Sequence, residues 1–260
     1  MIKAALMTAS LLAAAALPAA AFDLVALTER NELIRFSDAK PADSAMVAIS
    51  GTEGRVLGID VRPADKKLYA LDDKGILYTL DPRTGFATKG AALSAPLEET
   101  GTAIVDFNPQ ADRMRVIGPR GQSLRVNVES GQAAVDGRLR YSDGDANVGK
   151  LPRVMAGAYL NSIPKAPETQ LFEFDSATGA YVIQDPPNDG LLQTIGASGL
   201  PAGTAIDAMD IHTTPDMRDY TGFAVAANNL YRFGISNGRF TPVGSIGAGS
   251  RKIVDIAVLP

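Results

Sequence analysis

A four-strand pattern recurs along this chain, and one of its copies is divided between the two ends. The first complete copy opens with Gly58-Ile59-Asp60-Val61-Arg62-Pro63 and continues through residues 67–71, 75–82 and 84–88. Each piece is a short β-rich run bounded by Gly, Pro or Asp, which reads as four strands joined by tight turns. A second copy follows at 104–109, 113–117, 123–127 and 132–135. A third lies at 156–160, 171–174, 181–184 and 191–195, and a fourth at 208–211, 222–225, 230–233 and 239–243. The last copy is split. Ile253-Val254-Asp255-Ile256-Ala257-Val258 has the text of a first strand, and residues 23–27, 32–36 and 45–49 supply the second, third and fourth.

The split is what selects the architecture. An open array of sheets leaves an unpaired edge at each end, which invites aggregation. A ring whose two ends share one sheet has no such ends. Rings of four-stranded blades are β-propellers, and equivalent positions 60, 106, 158, 210 and 255 recur at spacings close to the 40–50 residues of known propeller repeats. The third copy is longer and carries an insertion at 161–170. A β-sandwich would use similar short strands, but it gives no reason for a divided repeat. The expected fold is therefore all-β, a single five-bladed propeller of four-stranded blades, closed by N- and C-terminal strands in one blade. The first strand of each unit is expected to be innermost.

Residues 1–21 lie outside the repeat. Met1-Ile2-Lys3 is followed by an alanine-rich apolar run, then Pro18-Ala19-Ala20-Ala21. A basic start, a short apolar stretch and small residues at the cut are the features of a secretory signal peptide. Cleavage after Ala21 leaves 22–260 as one propeller domain, exported to the periplasm or the extracellular space. No later stretch is long and apolar enough for a membrane span, so none is expected in the mature protein. The chain has no cysteine, which excludes disulfides, thiol chemistry and cysteine-bound metals. Its net charge of −4, scattered without a basic stripe, gives no footprint for nucleic acid.

The most regular polar feature is Asp60, Asp106, Asp210 and Asp255, one equivalent inner-strand position in four of five units; Ala158 occupies the fifth. Two readings follow. Each carboxylate can accept backbone N–H bonds from a neighbouring blade. Alternatively the acids form a ring near the axis that holds a cation or retains protons. Asp143-Gly144-Asp145-Ala146-Asn147-Val148-Gly149 alternates oxygen-bearing side chains in the manner of a calcium loop, making Asp143, Asp145 and Asn147 candidate metal ligands. Calcium is the one cofactor the sequence suggests, and none is required. The match is incomplete, since Val148 stands where such loops turn on glycine and Val154 where they end on an acid. An Asp/Gly turn bonded to backbone is the competing reading. The single histidine, His212, lies on the fourth inner strand and can serve as one general base or ligand contact, but not in a multi-histidine metal site.

Several of these strings together resemble a bacterial family of exported proteins. They are Leu57-Gly58-Ile59-Asp60-Val61-Arg62-Pro63, Leu77-Tyr78-Thr79-Leu80-Asp81-Pro82, Asp106-Phe107-Asn108-Pro109, Gly144-Asp145-Ala146-Asn147, and Gln184-Asp185-Pro186-Pro187-Asn188-Asp189-Gly190. The family is domain of unknown function 4394. The resemblance implies a propeller-like repeat and an extracytoplasmic location; it supplies no activity and no catalytic residues. The function expected is a binding or scaffold module, taking a small molecule or an envelope protein at one mouth of the channel. Two alternatives are kept: a glycosidase-like or metal-assisted hydrolase using the channel acids, and a calcium-stabilised structural module.

Overall fold

Among the described residues twenty-one strands fall into five sheets, four of them with four strands. The structure is a computed structural model describing residues 21–98, 101–201 and 203–260; the segment read from the sequence as a signal peptide lies outside these residues, apart from Ala21. One blade joins β1 (Asp23–Thr28), β2 (Glu32–Ser37) and β3 (Lys40–Ala48) to the last strand of the chain, β21 (Ile253–Val258). The next holds β4 (Val56–Val61), β5 (Leu68–Asp72), β6 (Ile76–Leu80) and β7 (Ala87–Ala92). A third holds β8 (Ile104–Asn108), β9 (Arg113–Ile117), β10 (Ser123–Val126) and β11 (Ala133–Val135). Then comes a five-stranded sheet of β13 (Val154–Tyr159), β14 (Leu171–Asp175), β15 (Ala180–Gln184) and β16 (Leu191–Ala197), with β12 (Arg140–Tyr141) on its outer edge. The last blade is β17 (Ala208–Thr213), β18 (Tyr220–Ala226), β19 (Asn229–Phe233) and β20 (Phe240–Ser245).

The strands β4, β8, β13, β17 and β21 pack on one another in a closed circuit, so each unit's first strand is innermost. All five run from the same end of the ring to the other. The ring closes where β21 pairs antiparallel with β1, Leu24 opposite Val258 and Leu27 opposite Asp255.

Burial explains why the inner strands lack the alternation of a half-exposed sheet. Each blade packs on a neighbour through both faces, so β4 and β21 are buried almost along their length. The outermost strands β3 and β7 present exposed residues at most positions. Five apolar clusters fill the five gaps between adjacent blades. Leu24, Ile34, Phe223 and Leu230 meet in one, and Phe172, Phe174, Tyr181 and Phe233 in another. Each large side chain fully buried there contributes about 1.5–3 kcal/mol, and that repeated gain holds the blades together. β12 is the one strand without a counterpart in the repeat. It pairs in parallel with β16 and covers that blade's outer edge. Among the described residues no helix is long and apolar enough to cross a membrane.

Candidate functional site

The C-terminal ends of the five inner strands converge on one mouth of the channel. There they surround a cavity of about 270 Å³, to which every inner strand contributes. Asp60 comes from β4, Asp106 from β8, Tyr159 from β13, Asp210 and His212 from β17, and Val258 from β21. Lys66, Ser162 and Pro260 form part of its wall.

The aspartates make a chain of cross-blade bridges. Asp255 accepts the Ile59 N–H (2.8 Å), and Asp60 accepts that of Phe107 (2.7 Å). Asp106 accepts the Tyr159 N–H (2.9 Å), and Asp210 that of Val258 (2.6 Å). Each carboxylate thus ties its own blade to a neighbour. Asp60, Asp210 and Asp255 use their second oxygen on the next N–H of their own strand. The circuit is broken where Ala158 stands in β13. Ser162 crosses that gap instead, its hydroxyl donating to the Ile211 carbonyl (2.8 Å) and its N–H to Thr213 Oγ1 (3.3 Å). The structural reading of the repeated aspartates therefore has direct geometric support.

The same residues also form a cluster. Asp60, Asp106 and Asp210 each offer one oxygen within 4.8 Å of the others. Burial, and then the charge of Asp210, push Asp60 well above the usual carboxylate range. Burial followed by the charges of Asp60 and Asp210 does the same to Asp106. Burial raises Asp210 to about 6. Carboxyl groups this close and this dry share protons at neutral pH. Asp106 differs from the other three in one respect: only one of its oxygens takes a hydrogen bond among the described residues. That leaves its other oxygen as an acceptor open to the cavity.

His212 lies beside the acids, half-buried, with its ring edge-on to Phe22 at 4.8 Å between centroids. Burial and then the charge of Lys66 hold its pKa below the ordinary imidazole value, so it is neutral at pH 7. Asp255 does not line the cavity. Asp143, Asp145 and Asn147 belong to a different region, the connection between β12 and β13. There Asp145 accepts the Thr194 N–H (2.6 Å) and hydroxyl (3.0 Å) and the Asn147 N–H (2.7 Å). The Asn147 side chain bonds Thr194 and the Lys150 ammonium, while Asp143 is exposed. Lys66, Tyr159, Ser162 and Thr213 join the site without having been singled out in the sequence. Tyr159 was findable, as it directly follows the ring position Ala158.

The family profile described as domain of unknown function (DUF4394) matches residues 32–257. The chain belongs to the DUF4394 family. No curated protein matches this DUF4394 sequence. Among solved structures, a protein of unknown function from Bacteroides thetaiotaomicron is similar at 13% identity and a TM-score of 0.51, over 86% of this chain and 58% of its own. The DUF4394 chain thus spans little more than half the length of that relative. A putative 6-phosphogluconolactonase from Bacteroides uniformis is similar at 12% identity and a TM-score of 0.40, over 88% of this chain and 69% of its own. At 13% identity the likeness to the Bacteroides thetaiotaomicron protein concerns the fold alone.

Proposed function

We propose that this DUF4394 chain is an exported binding propeller whose ligand sits in the channel-mouth cavity. One observation carries the reading: a concave site built by all five inner strands, with three buried carboxyl groups converging on it. Pockets of this kind, concave with a few convergent polar groups of shifted pKa, are where propellers and other folds place ligands. The ligand class follows from the chemistry of the wall. Dry carboxyl groups favour a partner that supplies N–H donors or positive charge, a protonated amine or a divalent cation, which relieves their mutual repulsion. The signal-peptide-like first 21 residues support export.

The test is a thermal melt of residues 22–260 with chelator, with calcium, magnesium and manganese, and with a panel of primary amines. A ligand of the folded state raises the midpoint, adding about 2.7 kcal/mol at a hundredfold excess over its dissociation constant. The expected result is a saturable rise that Asp106→Asn abolishes, since that substitution keeps an acceptor for the Tyr159 N–H but removes the charge. The absence of a rise with every cation and amine would overturn the reading.

A further inference from the structure

A second concavity adjoins the first and has the opposite charge. It is a groove of about 620 Å³ between the blade that closes the ring and the blade of β4–β7. Arg35 on β2 forms one side, Lys66 and Lys67 on the β4–β5 turn another, and Arg83 and Phe86 on the β6–β7 turn the third. None of the four cations makes a side-chain hydrogen bond or an ion pair among the described residues. For the three exposed ones this is ordinary surface behaviour. For Arg35 it is not. Its side chain is half-buried, and its Nε is shut off from solvent with no hydrogen-bond partner. A buried guanidinium N–H without an acceptor is costly; the Nη groups are not shut off in this way, and a bound oxyanion would pair with them and offset that cost.

The local charge agrees. Against four cationic side chains the groove sets two acidic ones, Asp23 and Asp81. Asp81 is already engaged, accepting the N–H groups of Arg83 (2.7 Å) and Thr84 (3.3 Å) to close its own turn. The groove is thus a positive patch on a protein of net negative charge. Phe86 adds a different element. The residue is 58% exposed, a large apolar side chain beside the cations, suited to stack on a ring of the ligand.

We propose that this groove binds a small molecule carrying an oxyanion, a carboxylate or a phosphate, on a ring. Arg35 and Arg83 grip the oxyanion, Lys67 adds charge at the rim, and Phe86 packs on the ring. The carriers of this proposal, Arg35, Lys67, Arg83 and Phe86, do not line the channel-mouth cavity. The two sites therefore stand or fall separately, although Lys66 borders both.

Isothermal titration of residues 22–260 with phenyl phosphate, benzoate, inorganic phosphate and benzyl alcohol tests it. Saturable binding of phenyl phosphate or benzoate is expected, tighter than that of inorganic phosphate, with none for the neutral alcohol. The tighter of the two ring compounds identifies the oxyanion. Arg35→Gln and Arg83→Gln should each weaken binding about tenfold, the effect of losing a charge-assisted hydrogen bond. Lys165→Gln, which removes an exposed charge outside the groove, and Asp106→Asn should leave binding unchanged. Arg83 is exposed, so its variant reports on the groove even where Arg35→Gln fails to fold. No saturable binding, or equal losses from Arg83→Gln and Lys165→Gln, would overturn the proposal.

Discussion

Glu173 has no group to receive its charge. It is 0% exposed on β14, and neither carboxyl oxygen has a hydrogen-bond partner. Burial holds its pKa up to about 8, against the opposing pull of Arg115. Arg115 itself is engaged elsewhere, with Asp136 at 2.5 Å, Ser123 at 2.9 Å and Asn188 at 3.0 Å. Glu173 is therefore protonated in the folded protein at pH 7 but ionised when unfolded. Between its unfolded value near 4.5 and about 8, the folded state binds more protons, so stability falls as pH rises through that window. Glu173→Gln should flatten this part of the pH profile and stabilise the protein at pH 8 by on the order of a few kcal/mol. Urea melts at pH 5 and pH 8 check it; an unchanged slope would remove the assignment. The ring aspartates were legible because a repeat marks them four times. Glu173 was not, because Leu171-Phe172-Glu173-Phe174 reads as a strand with its acid turned to water. Only the packing of a second blade on that face buries it.

At the level of strands, the text located all four members of every unit, since Gly, Pro and Asp punctuate each turn. Where the boundaries differed, hairpin pairing extended the strand. β3 begins at Lys40 rather than at residue 45 because it follows β2 from Ser37 back to Glu32. β12 left no trace in the sequence: two residues carry no period, and its partner β16 lies some fifty residues further on. The loop after β12 depends on a similar distant contact. Its Asp145 is pinned by Thr194 of β16 rather than by residues of the loop alone. The carboxylate's pKa reflects this: burial would raise it, but the N–H groups of Thr194 and Asn147 outweigh that and lower it. Asp145→Ala should destabilise the protein by about 1–3 kcal/mol through the lost bonds to Thr194 and Asn147. The loss is expected to be equal in calcium and in chelator. A loss confined to calcium would make the loop a metal site.

For the whole molecule, the divided repeat was the most informative part of the sequence, and the β21–β1 pairing shows why. The ends meet: the Leu259 N–H donates to the Asp23 carbonyl at 2.8 Å. A circular permutant that links residue 260 to residue 22 and opens the 161–170 connection should keep cooperative unfolding and lose no more than about 2 kcal/mol. Deleting residues 253–260 should leave no cooperative transition at all, because it removes an inner strand and opens the ring. Calorimetry of both variants checks these expectations. What the repeat could not reveal is the full wall of the cavity, since Lys66, Ser162 and Thr213 reach it from strand ends and connections outside the repeated position.

The seam also imposes an order in time. The sheet of β1–β3 is the first to leave the ribosome, yet its inner edge stays unpaired until the final strand, six residues long, has been made. Synthesis that stalls just before residue 253 yields four complete blades, a fifth without its inner strand, and an adhesive edge at each end. The codons of β21 decide whether the product is a closed particle or a substrate for chaperones.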